Sequence, residues 1–344
     1  MVETVLVTGG TGYVAGWCIA LLLQRGYAVR TTVRSLSKEA GVRAAVEAVA
    51  GRESRVRLSF HVADLTQDAG WDEAVAGCAY VLHVASPLGI DAPKDPDAVI
   101  RPALDGTLRV LRAATRAGVR RVVMTSAAAA ATPPITGPDS FSDESVWFDP
   151  TEKDADAYRK SKQLAERAAW DFMKSAPATT TLATILPGAV FGPVLSRDTL
   201  GSVQVIGRML EGRMPGTPRL GFEVVDVRDL ADAHIRAMTA PEAAGQRFLA
   251  VGEFMWMREI AQSLRDQLGS AAAKVPTRAM PDMLLRLLSL LDPSLRSMTP
   301  RLGRKHRHSN AKAKALLGWQ PRPAAETLAD CARSLLPGLP AGAA

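Results

Sequence analysis

The 344-residue sequence predicts an α/β protein, a doubly wound parallel sheet with a smaller, mostly helical C-terminal lobe. Three observations predict it. A β-branched run, Thr4–Thr8, turns through Gly9-Gly-Thr-Gly12 directly into an apolar helical pattern (Val14, Ile19, Leu22, Leu23). Strand-like and helix-like segments then alternate to about residue 190, the pattern of parallel β/α units. Beyond 190 the alternation breaks down. The expected division is therefore residues 1–190 for the sheet domain and 191–344 for the lobe. A return segment near 222–251 is expected to pack on the sheet domain.

The first turn carries the earliest functional signal. A strand that turns tightly into a helix leaves free N–H groups at the helix N-terminus, where the dipole favours an anion. Gly9 and Gly12 let a pyrophosphate approach the backbone at Tyr13 and Val14, and Ala15 is the small residue needed where helix meets strand. Such a glycine pattern alone is weak. Its place between the first strand and a helix, with a second strand at Ala28–Val33, is the context that a dinucleotide site requires.

The second strand ends at Arg34. An acidic residue there would hold the ribose 2′-hydroxyl of NAD, whereas an arginine suits the 2′-phosphate of NADP. Arg34, with Arg30 and Lys38 close by in sequence, predicts NADP. A third strand, Leu58–Val62, closes on Ala63-Asp64-Leu65, which places Asp64 and Leu65 toward the adenine. A short helix (71–77) leads to strand four, Tyr80–Ala85, in which His83 reads as a packed core residue. Val84, Ala85 and Ser86 are expected to run over the cofactor. A helix from about Asp97 to Ala117 leads to strand five, Arg121–Thr125, and then to a Pro-, Asp- and Ser-rich loop to Glu152.

The helix from Asp156 to Trp170 places Tyr158 and Lys162 one turn apart on one face. A lysine beside a tyrosine lowers the phenol pKa and makes the tyrosine a usable proton donor and acceptor near neutral pH. The pair gains weight from the glycine turn and the β/α units before it. A sixth strand, 180–186, runs into Pro187-Gly-Ala-Val190, the stretch expected nearest the nicotinamide. Later elements are a strand (222–226), a helix (230–238), a strand (246–251) and helices at 257–268, 282–291 and 326–336.

Composition narrows the partners. The net charge of +7 invites a nucleic-acid reading, but the densest basic run, Arg301–His308, has no aromatic residue for base stacking and reads as solvated surface. His306 and His308 lack companions for a metal site. Three distant cysteines (Cys18, Cys78, Cys331) suit a reduced compartment and exclude a disulfide framework. No apolar run is long enough to span a membrane, and the N-terminus enters a strand at once. A cytoplasmic monomer or homodimer is expected, with no nucleic-acid or membrane partner.

Several stretches together resemble the extended short-chain dehydrogenase/reductase superfamily, and within it the dihydroflavonol-reductase-like enzymes and bacterial aldehyde and ketone reductases. They are the glycine turn with Trp17, Gly26–Arg34, His83-Val-Ala-Ser-Pro87, Asp143-Glu-Ser-Val-Trp147, Tyr158–Glu166, Asp226–His234 and Ala315–Arg322. The resemblance runs nearly the whole chain. It implies a Rossmann-type NADP-binding domain and an NADPH-dependent reductase acting on a small ketone or aldehyde, in reverse an alcohol dehydrogenase. Tyr158 would be the proton donor, and Lys162 would tune it and hold the ribose.

The family usually writes Thr-Ser-Ser after strand five, and its second serine helps hold the substrate oxygen. Here that position is Ala127, so Ser126 or Thr125 becomes the candidate replacement donor. The plant flavonoid enzymes carry a substrate-reading Asn where this chain has Ala131 or Thr132, which argues against a flavonoid substrate. Two alternatives stay open: a nucleotide-sugar epimerase on the same scaffold, and a non-catalytic NADP sensor. Dehydration is disfavoured, since the Asp-Glu pair it requires after the strand-five threonine is Ser126-Ala127.

Overall fold

A computed structural model describes residues 2–87, 95–152, 155–196, 201–291 and 298–336. Seven parallel strands form its main sheet: β1 (Thr4–Val7), β2 (Ala28–Val33), β3 (Leu58–Val62), β4 (Tyr80–His83), β5 (Arg121–Thr125), β7 (Thr181–Pro187) and β10 (Gln246–Ala250). Their spatial order is β3-β2-β1-β4-β5-β7-β10. The order reverses direction at β1, whose neighbours are β2 and β4. A crevice therefore opens beyond the carboxyl ends of β1 and β4, where ligands bind in such sheets.

Strand periodicity assigns the two faces. Val5, Val7, Leu82 and Val123 join one core, with α1 (Tyr13–Gln24), α2 (Glu39–Ala50) and α7 (Val227–Thr239). Leu6, Val81, Val122 and Met124 point the other way, into a core with α3 (Trp71–Val75), α4 (Asp97–Arg116) and α5 (Ala157–Ser175). A separate core underlies the C-terminal lobe. It gathers Phe191, Ile206, Met209, Val224, Ile260, Leu264 and Leu328 from β8 (Ala189–Phe191), α6 (Val203–Leu210), β9 (Gly221–Asp226), α8 (Met257–Leu268) and α11 (Ala324–Leu335). The chain returns to the sheet twice: through α7 and β10, and again through Ala313, Leu317 and Trp319 around α10 (Ala311–Leu317).

Two of the sequence stretches that carry the resemblance fasten these returns. Asp226 caps α7 by accepting from the Arg228 backbone N–H, and its carboxylate also receives the Arg228 guanidinium, which in turn reaches Asp330 on α11 at 2.8 Å. Asp229 accepts the Arg322 guanidinium, and the Trp319 indole N–H donates to the Asp229 carbonyl at 2.7 Å. These buried charges are paired and hydrogen-bonded, the condition under which burial is tolerated.

The basic run departs from the sequence expectation. His306–His308 forms a strand, β12, paired in parallel with β6 (Ser140–Ser142), and His308 is buried rather than solvated. The His308 ring meets the Glu223 carboxylate at 2.5 Å and the Thr132 hydroxyl at 3.0 Å. Also unforeseen are α2, α6, α10, β8 and β11 (Phe254–Trp256). α9 (Asp282–Leu291) has the expected bounds, and Met283, Leu287 and Leu290 are exposed along it.

Two buried histidines make stability acid-sensitive. Burial pulls His83 down to about 3, with the Lys162 charge adding to the shift. Burial pulls His234 to about 4, partly offset by its hydrogen bond to the Leu230 carbonyl. Both are neutral when folded and take up a proton near pH 6.5 once unfolded. Their contribution is complete above about pH 6.5 and is lost as pH falls toward 3–4, amounting to about 3–5 kcal/mol for each ring. Denaturant unfolding at a series of pH values should show stability falling from about pH 6.5 to 4.5, with the fall reduced in His83→Asn. A flat profile would contradict the assignment.

Candidate active site

The glycine turn sits at the crevice. Gly9 adopts φ +74°, and a Cβ there would lie 2.9 Å from the Ala85 Cβ, so only glycine lets the β1 and β4 ends close together. A Cβ on Gly10 would meet the Thr31 hydroxyl at 2.5 Å. The turn is pinned by Gly9 N–H donating to the Thr32 hydroxyl and Gly10 N–H to the Thr32 carbonyl, both at 2.9 Å. Gly12 is the N-cap of α1 and offers no side-chain cap, so the N–H groups of the first turn, at Tyr13, Val14 and Ala15, are left for a ligand. The Tyr13 hydroxyl donates to the Gly192 carbonyl, and the Trp17 indole to that of Pro193, tying this helix to the strand end that carries Pro187 and Val190.

Thr8 is a residue the sequence reading passed over. Its hydroxyl faces His83 Nδ1 at 3.0 Å and accepts from the N–H groups of Val84 and Ala85 at 3.1 and 3.0 Å. It thereby sets the backbone of Val84, Ala85 and Ser86 at the sheet edge. A threonine closing a Gly-turn strand was the available signal.

Arg34 follows β2, exposed, with no side-chain hydrogen bond or ion pair among the described residues. Lys38 ends the short 3-10 turn Leu36–Lys38, whose Ser35 and Ser37 hydroxyls face each other at 2.9 Å. Asp64 is close enough for Arg34 to stabilise its carboxylate, which is held below the usual range chiefly by hydrogen bonds from Thr66. Leu65 is partly buried against the core under α4. Arg30 is a correction. Its side chain is occupied elsewhere, donating to the Ala74 and Ala76 carbonyls at the end of α3.

Asp156 caps α5, accepting from the Arg159 N–H at 2.7 Å, and this first turn presents Tyr158. The residue is 42% exposed, and its hydroxyl end is the desolvated part. Burial pushes the phenol up to about 12, Asp156 adds to the shift, and the Arg301 guanidinium opposes it. The expected depression by Lys162 is therefore not what the protein alone supplies. Lys162 is buried, and burial draws its ammonium down to about 8 against the pull of Glu166. It has no hydrogen-bond partner among the described residues, although its charge is felt at His83 beneath the crevice. A buried ammonium without an acceptor is suited to hydroxyl groups brought by a ligand.

Ser126 is corrected more sharply. Its hydroxyl is buried and donates to Glu166 at 2.7 Å. Glu166 also accepts from the Thr184 hydroxyl at 2.7 Å and the Arg247 guanidinium at 2.8 Å. Arg247 in turn stacks on Trp147 and donates to the Glu144 and Val146 carbonyls, which explains the Asp143–Trp147 stretch as an anchor for the loop. Thr125 is no substitute, since its hydroxyl is 2.7 Å from His234 Nε2. The Thr132 hydroxyl is held by His308 and the Ala128 carbonyl. With Ala127 at the serine position, Tyr158 is left without a hydroxyl companion from this stretch. Ser126→Ala is expected to lower stability by about 1–3 kcal/mol while leaving kcat within about threefold. A loss of turnover as large as that from removing Tyr158 would restore Ser126 to the reaction.

Residues 5–252 match the NAD dependent epimerase/dehydratase family. The chain belongs to this family. Among its relatives, cinnamoyl-CoA reductase CAD2 of Medicago truncatula is 38% identical over 272 residues, covering 77% of this chain and 80% of that protein. Ketoreductase azaE of Aspergillus niger is 33% identical over 301 residues, covering 83% and 88%. The yeast methylglyoxal/isovaleraldehyde reductase Gre2, solved with NADPH, superposes with a TM-score of 0.79 at 25% identity over 97% of this chain and 98% of that one. Within the epimerase/dehydratase family this chain thus groups with reductases, and it is an oxidoreductase of the extended short-chain type. The crevice residues fit a dinucleotide: a glycine turn that admits no Cβ, open N–H groups on α1, an unpartnered buried Lys162 and an unpartnered Arg34.

Proposed function

We propose that this protein reduces a ketone or aldehyde carbonyl with NADPH, with Tyr158 giving the proton. NADP is the cofactor, and when bound it supplies the hydride. The observation that supports the reading is that α5 carries a part-exposed Tyr158 one turn before a buried Lys162 with no partner among the described residues, whose charge reaches His83 at the end of β4.

The chain's own contribution is positioning and electrostatics. The α1 N-terminus takes the pyrophosphate, Arg34 and Lys38 the 2′-phosphate, and Lys162 the ribose hydroxyls. Tyr158 meets the substrate oxygen and gives up its proton as negative charge develops there. A phenol held near 12 is protonated at neutral pH and so ready to donate. With Ala127 at the usual serine, one oxyanion donor is missing, which by analogy with other oxyanion sites lowers kcat rather than abolishing it.

NADPH consumption by the purified protein against a panel of simple ketones and aldehydes tests the proposal. Turnover of simple carbonyls, with no response to UDP- or dTDP-sugars, supports it. Conversion of nucleotide-sugars without net NADPH consumption would replace it with epimerisation, and binding of NADPH without any turnover would favour a sensor.

A further inference from the structure

The basic stretch after α9 is not used by the reaction described so far, yet its Arg301 is within electrostatic reach of Tyr158. Thr299–Arg301 forms a 3-10 turn, and the residues flanking Arg301 (Thr299, Pro300, Leu302, Gly303) line a cleft of about 510 Å³. The other walls are Thr136, Arg219, Asp282, Arg286 and Arg304. Three arginines thus face one carboxylate, and Arg219 is already paired with Asp282 at 2.6 Å. The Arg286 and Arg304 side chains are exposed, and burial draws the Arg301 guanidinium's pKa down; none of the three makes a hydrogen bond or ion pair among the described residues.

The connection to the reaction centre runs through two elements. Arg301 sits within electrostatic reach of the Tyr158 hydroxyl and the Asp156 carboxylate at the start of α5. The 132–136 stretch joins the same two places: Arg159 donates to the Thr132 carbonyl at 3.1 Å, and Thr136 forms part of the cleft wall. β12, paired with β6, holds the chain after Arg301 in this position, and Lys305 N–H donates to Asp139 at 2.8 Å.

We propose that this arginine-lined cleft is a substrate subsite for an anionic group, a carboxylate or a phosphate, carried by the same carbonyl compound that Tyr158 protonates. This rests on the reductase reading above and adds the class of substrate. Planar guanidinium groups that lack a protein partner are matched to carboxylate and phosphate oxygens. A neutral substrate would leave their charges unanswered in a cleft with a single acidic residue. Arg301, flanked by cleft-lining residues and within electrostatic reach of Tyr158, would orient the anion so that the carbonyl end reaches Tyr158.

The test compares kcat/KM for three ketones of equal chain length: a 3-oxo carboxylate, its neutral methyl ester, and a ketone bearing a phosphate monoester. The wild-type protein should prefer a charged member by about tenfold or more, and whichever of the two is preferred names the anion. The double variant Arg286→Ala/Arg304→Ala should lose about tenfold on the charged ketones, mainly through KM, while the ester stays within about twofold. Arg301→Ala should show the same loss of selectivity. An equal fall for ester and anion, or no preference for charge in the wild type, overturns the subsite. If the wild type turns over none of the three, the ester included, the reductase reading fails instead. Calorimetric binding of the 3-oxo carboxylate and the phosphate ketone to wild type and double variant then decides the subsite alone, and equal affinities overturn it.

Discussion

Tyr158→Phe is expected to lower kcat by about 10²–10⁴-fold, the usual worth of a positioned acid–base group. The effect should be at the severe end, because the hydroxyls of the 125–132 stretch are all engaged elsewhere. Ser126 is committed to Glu166, Thr125 to His234 and Thr132 to His308. Phenylalanine keeps the ring and removes only the proton donor, so the fold and the glycine turn are undisturbed. The Kd for NADPH should accordingly remain within about threefold of the parent, since the pyrophosphate and 2′-phosphate would be held by the α1 N-terminus and Arg34 on the proposed reading. Single-turnover reduction and cofactor titration on the same preparation separate the two quantities. Full turnover by the variant would remove Tyr158 from the mechanism.

Arg34→Asp should reverse cofactor preference. If Arg34 holds the 2′-phosphate, its charged and planar hydrogen bonds contribute about 1.5–3 kcal/mol, or one to two orders of magnitude in favour of NADPH over NADH. Aspartate removes that partner, repels the phosphate and can accept from a ribose hydroxyl instead. The exposed, unpartnered state of Arg34 supports the assignment, and the loss of Arg30 to the end of α3 leaves Arg34 and Lys38 as the cations there. Dissociation constants for both cofactors, on parent and variant at one ionic strength, measure the effect. Equal affinities in the parent with little change in the variant would mean that Arg34 stacks on the adenine and leaves the 2′ position in solvent.

Much of the fold was legible because it is written in local periodicity. β2, β3 and β5 have the expected bounds, as do α8 and α9, since each is a continuous apolar or amphipathic run between turn residues. What escaped depends on distant partners. β6 and β12 are three residues each and exist only because Ser140–Ser142 finds His306–His308 far along the chain. Neither has a hydrophobic pattern to announce it. The same limit applied to side chains. Ser126 stood beside the strand-five position that usually carries a catalytic serine, but its direction is set by Glu166, forty residues on, and by Arg247 beyond that. That Tyr158 and Lys162 lie one turn apart on one helix was readable from their spacing, whereas the raised phenol pKa comes from the tertiary surroundings that bury it. Charge density rightly put Arg304 and Arg307 at the surface but misplaced His308 there, because burial of His308 requires Glu223 and Thr132 to be beside it.

On the proposed function, NADPH would supply hydride to the substrate carbonyl carbon while Tyr158 gives the proton. The most direct measurement is isotopic: reduction of the best carbonyl substrate with NADPH deuterated at the transferable position, followed by mass and NMR analysis of the alcohol. The account predicts one deuterium per product molecule, located on the carbinol carbon, with the hydroxyl proton drawn from solvent. Alcohol formed without deuterium at that carbon, or NADPH oxidised without an alcohol product, would contradict it.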